Sequence, residues 1–202
     1  MLKKLSYLLI APAFLFSCGA GETTGNETDS DSTVTEVAET VDETTEEPPK
    51  PPKSPRRQST GSIAGVEVTV DYGSPYVKER AIWGDLVPYD KIWRAGANEA
   101  TSITFGSNVT IDGSSVTAGT YALFIIPKAD SDWTIVLNEE WSKEEHGVWG
   151  AYDHKPEKDV LRFDVNPLFS SDNLESLTFT VNEAGVMFAW ETASFEFTIT
   201  AG

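Results

Sequence analysis

From residue 54 onward the chain alternates apolar and polar residues in short runs, a pattern typical of β-strands. Residues 66–72 place three valines and a tyrosine on one face, which predicts a strand with one buried side. Residues 121–126 are apolar at every position, which predicts a central strand covered on both faces. The same patterns predict further strands at residues 102–105, 109–111, 133–137, 160–165, 176–181, 186–190 and 195–199.

Turn residues separate these short strands. Asp112-Gly113 is a strong hairpin signal, because both positions of such a turn require positive φ, and residues 182–185 form a second predicted turn. One short helix is also predicted, with Asn138 as N-cap, acids in the first turn, His146 in the last turn and Gly147 just beyond. We therefore expect residues 54–202 to form a single-domain, all-β antiparallel β-sandwich with one short helix.

The N-terminus has the pattern of an export signal. A basic start is followed by an apolar stretch too short for a stable membrane anchor, and then by Ser17 and Cys18, the sole cysteine. Residues 15–18 resemble a bacterial lipobox, although Phe16 is larger than the residue usually found there. We expect residues 1–17 to be a lipoprotein signal peptide, Cys18 to be lipidated, and the protein to be held in the bacterial cell envelope. An ordinary cleaved signal or a free thiol are the alternatives.

A different composition follows in residues 18–53. This segment has ten acidic residues against two lysines, no aromatic residue, and a proline-rich end at residues 48–52. It offers too little apolar surface to offset the entropy of ordering, so we expect a disordered acidic tether. Such a segment would either hold the domain away from the membrane or act only as a solubilising linker.

Charge and the absence of known motifs narrow the range of expected functions. The chain carries a net charge of −17, and residues 54–202 hold 22 acidic against 11 basic residues, so nucleic acid is not an expected partner. His146 and His154 are the only histidines and no zinc or calcium motif occurs, so we expect no metal site and no cofactor. No nucleophile elbow, dinucleotide fingerprint or P-loop is found.

Two aromatic segments provide the candidate ligand-binding residues. Residues 83–101 combine tryptophans with planar polar side chains around glycines and a proline, which suits a small polar ligand. Residues 149–153 add a second aromatic pair. The candidates are Trp83, Arg94, Asn98, Glu99, Trp149 and Tyr152. We expect Arg94, Asn98 and Glu99 to form one polar cluster beside Trp83 or Trp149. The alternative is structural: the tryptophans fill the core and Arg94 pairs with an acid.

These segments also carry a family resemblance. Residues 54–56, 68–72, 74–75, 80, 82–84, 86–89, 93–101, 118–124, 149–152 and 159–162 are similar to the domain-of-unknown-function 2911 family, above all in Trp-Arg-Ala-Gly-Ala-Asn-Glu-Ala-Thr at 93–101. The resemblance implies an exported protein of a kind found largely in Bacteroidota, often with a lipoprotein signal. It implies no activity and no catalytic residues.

Three functions remain open on the sequence. We favour a lipid-anchored binding module for a small polar or carbohydrate-like ligand. A hydrolase using carboxylates such as Asp85 and Glu99 is the enzymatic alternative. An envelope scaffold that meets a protein partner through its aromatic residues is the third.

Overall fold

Ten β-strands and one four-residue helix organise the part of the chain that the computed structural model describes, residues 53–202. The predicted signal peptide, Cys18 and nearly all of the predicted tether lie outside the described residues. The strands are β1 (Arg56–Ile63), β2 (Val66–Gly73), β3 (Ser102–Phe105), β4 (Val109–Ile111), β5 (Ser114–Val116), β6 (Gly119–Ile126), β7 (Trp133–Asn138), β8 (Asp159–Val165), β9 (Leu168–Val181) and β10 (Gly185–Ala201). The helix α1 is Lys143–His146, and a 3-10 turn spans Pro156–Lys158. No helix within residues 53–202 is long and apolar enough to cross a membrane.

The strands form two antiparallel sheets. One has six strands in the order β1-β2-β3-β6-β7-β8, and the other has four in the order β5-β4-β10-β9. Aromatic side chains join the sheets across the core: Tyr72 contacts Phe179 with ring centroids 5.1 Å apart, and Phe163 contacts Phe197 at 5.3 Å. The predicted all-β sandwich is confirmed.

Strand β6 has both faces covered, as its apolar run predicts. Leu123 and Ile125 belong to the main core between the sheets. Ala122 and Phe124 point the other way and join a second, smaller apolar cluster. Ile92, Trp141 and Ala151 pack against that cluster, so residues around 92–100 and 141–151 cover the outer face of the large sheet.

The helix begins later than predicted. Ser142 is the N-cap, and its hydroxyl accepts hydrogen bonds from the backbone N–H of Glu144 and Glu145 at 3.1 Å. Asn138 is instead buried at the end of β7, where its amide donates to Lys155 O and to Asp159 Oδ1. The error arises because asparagine can satisfy loop backbone groups as readily as a helix start. The prediction for Gly147 is confirmed, since it ends the helix at φ 71°.

Two predicted strands form one. Residues 186–190 and 195–199 both belong to β10, a 17-residue strand whose pairing with β9 shifts register on either side of Glu191. Glu191 has φ 55°, and its carboxylate accepts a hydrogen bond from Thr192 N at 2.7 Å. A bulge of this kind bends a strand without ending it, so the gap between the two predicted strands lies within one strand.

Both predicted turns are present. Asp112 and Gly113, at φ 49° and 73°, join β4 to β5, and Asn182 Oδ1 accepts from Ala184 N and Gly185 N between β9 and β10. Two edge strands, β1 and β5, were not predicted. Their residues are mostly polar and exposed, because an edge strand needs little apolar surface.

Candidate functional site

A cavity of about 460 Å³ lies beside the segment that covers the large sheet. Residues 86–97 supply much of its lining, and Ser54, Arg80, Tyr152 and Trp190 contribute from elsewhere in the chain. Its volume falls within the range of small-molecule pockets, which is roughly 300–1,000 Å³. We call it the Arg94 cavity.

The segment around Arg94 is held tightly in place. Trp93 exchanges two backbone hydrogen bonds with Ile125 of β6, at 2.8 and 2.9 Å. Ala95 is fully buried at φ 53°, and Thr101 Oγ1 donates to its carbonyl oxygen at 3.0 Å. A Cβ on Gly96 would lie 2.8 Å from Gly73 O, so only glycine allows this approach to β2. These contacts of Trp93, Ala95 and Gly96 fix the backbone on both sides of Arg94.

Arg94 is half-buried between two residues of the 149–153 loop. A Cβ on Gly150 would lie 2.9 Å from Arg94 Cδ and Nη1, so the arginine side chain occupies the space that glycine leaves open. The guanidinium carbon lies 5.6 Å from the centroid of the Tyr152 ring. Arg94 Nε is buried without a hydrogen-bond partner, and no ion pair within residues 53–202 includes this residue.

Tryptophan rings form the wall behind the arginine. Trp93 and Trp190 stack with centroids 5.6 Å apart and an interplanar angle of 16°. Trp83 meets both edge-on, at 6.0 Å and 5.9 Å. The indole N–H groups of Trp83 and Trp190 are buried and have no partner.

Unpartnered donors are concentrated at this place. Within residues 53–202, the buried side-chain polar atoms without a hydrogen-bond partner are Trp83 Nε1, Arg94 Nε and Trp190 Nε1. Two belong to residues that line the cavity, and the third belongs to a ring packed against its wall. All three are donors, so the missing partner is an acceptor.

The charges around the cavity have one sign. Arg80, Lys91 and Arg94 line it, and none of the described lining residues is acidic. Arg80 donates to the carbonyl oxygens of Tyr76 and Val77, which holds its guanidinium close to the backbone.

The structure brings only some of the predicted site residues together. Arg94 and Tyr152 line the cavity, whereas Trp83 packs in the core behind it. Within residues 53–202, no ion pair or side-chain hydrogen bond joins Arg94 to Asn98 or Glu99. Asn98 is exposed at φ 66°, and Glu99 lies 3.8 Å from Arg56 with a side chain that is 53% exposed.

Trp149 also lies away from the cavity lining, with Lys143 Nζ 5.1 Å from its ring centroid. Sequence reasoning did not select Trp93, Trp190, Arg80 or Lys91. Trp93 stands beside Arg94 in the same motif and could have been included. Trp190 comes from the far end of the chain, and no local pattern connects it to Arg94.

The carboxylates proposed for hydrolysis lie outside the lining of the Arg94 cavity. Neither Asp85 nor Glu99 lines the cavity, and no pair of acids faces across it among the described residues. Residues 53–202 also contain no group of three or more metal-binding side chains in a suitable arrangement. The described lining of the cavity thus offers hydrogen-bond donors and cations, which can bind and polarise a ligand. It contains no carboxylate that could transfer protons.

A second polar cluster surrounds Asp159. His154 Nε2 lies 2.8 Å from Asp159 Oδ1, and Arg162 and Asn138 also donate to this carboxylate. Burial would raise the pKa of Asp159, but hydrogen bonds from Asn138, His154 and Arg162 outweigh burial and lower it. The partners of Asp159 are side chains of the domain itself, so this cluster joins β7, β8 and the 154–159 turn.

Comparison with known proteins identifies the family. Residues 54–199 match the family described as "Protein of unknown function (DUF2911)", a span that includes every residue lining the cavity. No curated protein and no solved structure matches the chain significantly. The resemblance seen in the sequence is therefore confirmed, and the protein that carries this cavity belongs to the DUF2911 family of unknown function.

Proposed function

We propose that the protein is a binding module that holds a small polar ligand in the Arg94 cavity. The observation that carries this proposal is that two residues lining one cavity, Arg94 and Trp190, each have a buried donor without a partner, Arg94 Nε and the Trp190 indole N–H, and that Trp83 in the ring cluster behind them has a third. Buried polar groups in folded proteins almost always have a partner. A bound ligand with acceptor atoms would supply one.

Energetics support a ligand over a purely structural role. A buried donor without a partner costs about 1–3 kcal/mol, a penalty that a structural core has no reason to retain. Among residues 53–202 Arg94 has no ion-pair partner, although the domain is rich in acids. Each buried polar group without a partner calls for an explanation, and recognition of a ligand supplies one here.

A thermal-shift screen of small polar metabolites tests the proposal. At a ligand concentration of about 100 times Kd, binding adds about 2.7 kcal/mol to the free energy of unfolding. For a domain of this size that corresponds to a rise in Tm of about 5–10 °C. Arg94→Gln should abolish the shift. Arg57→Gln is the matched control, since it removes an exposed arginine of β1 that does not line the cavity.

Two results would count against a ligand site here. One is a library without any stabilising compound. The other is a compound that stabilises wild-type protein and Arg94→Gln equally, because its binding site would then lie elsewhere.

We also propose that this module is anchored in the bacterial cell envelope through lipidated Cys18, with residues 18–53 as a tether. The order of basic start, apolar stretch and single cysteine supports this location. Cys18→Ser should move the protein from the detergent phase to a soluble or unprocessed form, because several acyl chains hold a protein firmly. Unchanged partition into detergent would remove the anchor.

A further inference from the structure

We infer that the ligand of the Arg94 cavity is an anion, a carboxylate carried on a flat or apolar ring. The inference rests on the proposed function and narrows it to a ligand class. Three independent features carry it: the sign of the charges around the cavity, the geometry of the unpaired guanidinium, and the nature of the walls.

The charges favour an anion. Arg80, Lys91 and Arg94 line the cavity and no described lining residue is acidic, although the whole chain carries −17. An acidic surface repels anions in general, so a local group of three cations creates one place where an anion is attracted. A cationic ligand would meet these three charges without a carboxylate to compensate them.

The guanidinium favours a carboxylate. An arginine presents its N–H donors in a planar fork that matches the two oxygens of a carboxylate. Arg94 is placed rigidly by its neighbours Trp93 and Ala95, and its side chain is confined by Gly150. With Arg94 in no ion pair of the described residues, its charge is available to a ligand in the cavity.

The walls favour a ring beside that carboxylate. Trp93 and Tyr152 line the cavity together with Pro88 and Ile92, and Trp190, which also lines it, is only 1% exposed and stacks on Trp93. Aromatic faces of this kind pack well against a flat or apolar ring. Two ring chemistries fit, an aromatic acid with a flat ring and a sugar acid whose ring has an apolar C–H face, and both share the carboxylate.

Matched pairs of probes separate charge from shape. We would titrate the full chain with phenylacetate and its neutral amide, phenylacetamide, and with glucuronate and glucuronamide. Binding is followed by calorimetry and by tryptophan fluorescence, since Trp93 and Trp190 line the site. The comparison is made in wild type, Arg94→Gln and the control Arg57→Gln.

We expect one acid of the two pairs to bind at least about ten times more tightly than its amide, a difference of about 1.4 kcal/mol. This preference should fall to about twofold in Arg94→Gln, persist in Arg57→Gln, and shrink as salt is added. The pair that responds distinguishes an aromatic acid from a sugar acid.

Equal affinity of acid and amide would overturn the inference, as would a preference that survives Arg94→Gln. So would the absence of binding by all four probes up to about 10 mM. The proposed function fails separately: it falls if the broader thermal-shift screen finds no compound whose effect depends on Arg94.

Discussion

Replacing Arg94 with methionine should make the unliganded protein more stable, although the residue is central to the proposed site. The substitution removes the buried Nε that has no partner, and the long apolar side chain still fills the space beside Gly150. It also removes the contact between the guanidinium and the Tyr152 ring. Stability and binding should therefore change in opposite directions.

Two contributions set the size of the expected change in the free energy of unfolding. Relief of an unsatisfied buried donor is worth about 1–3 kcal/mol. Loss of a cation–π contact with a ring that is exposed, as Tyr152 is, costs about 0.5–1 kcal/mol. The net expectation is a gain of about 1 kcal/mol in the free energy of unfolding, or about 2–4 °C in Tm.

Urea unfolding and thermal melts of the purified protein measure this change. Arg162→Met is the matched control, because Arg162 donates two hydrogen bonds to the buried carboxylate of Asp159. That variant should lose about 1 kcal/mol, since it leaves a buried acceptor with fewer partners. A loss of about 1 kcal/mol or more in Arg94→Met would refute the reasoning, because the arginine would then be stabilising the unliganded fold.

Three further outcomes are expected. Gly150→Ala and Gly147→Ala should each lower the free energy of unfolding by about 1 kcal/mol in thermal melts, because both positions have positive φ. Only Gly150→Ala should also weaken ligand binding, since its Cβ would displace Arg94. Equal binding in the two variants would contradict this expectation. The lowered pKa of Asp159 contributes stability that is fully present above the pKa of the unfolded carboxyl, about 4, and is lost as pH falls through the folded value. Urea unfolding at decreasing pH should show a shallower decline in Asp159→Asn, and an unchanged slope would show that the carboxylate is not responsible. Asn138→Ala should lower the free energy of unfolding by about 2 kcal/mol, because three hydrogen bonds at a buried position are lost, and a change near zero in the same assay would argue against that accounting.

Local pattern was sufficient to predict most of the fold. The alternation at 66–72 and the apolar run at 121–126 correspond to β2 and β6, because side-chain direction in a strand follows from the backbone alone. The turns at 112–113 and 182–185 were predictable for the same reason, since positive φ and side-chain-to-backbone bonds are local requirements.

Predictions were wrong where the outcome depended on distant residues. Asn138 has the chemistry of a helix cap, and its Oδ1 accepts from Glu140 N, but its Nδ2 donates to Lys155 O and Asp159 Oδ1, which hold it at the end of β7. Residues 186–190 and 195–199 were predicted as separate strands, but pairing with β9 on both sides of Glu191 makes them one strand. In each case a residue with two local solutions was decided by a partner far along the sequence.

The candidate site divides in the same way. The sequence by itself indicated that Arg94 stands in a tightly bent, aromatic segment, and that Tyr152 lies in a glycine-containing loop. Only the tertiary structure placed Tyr152 and Trp190 beside Arg94, paired Glu99 with Arg56 instead, and left the buried donors without acceptors. A hydrogen-bond partner can come from any part of the chain that folding brings near, so whether a polar side chain is satisfied or available to a ligand is a property of the folded protein and not of its local sequence.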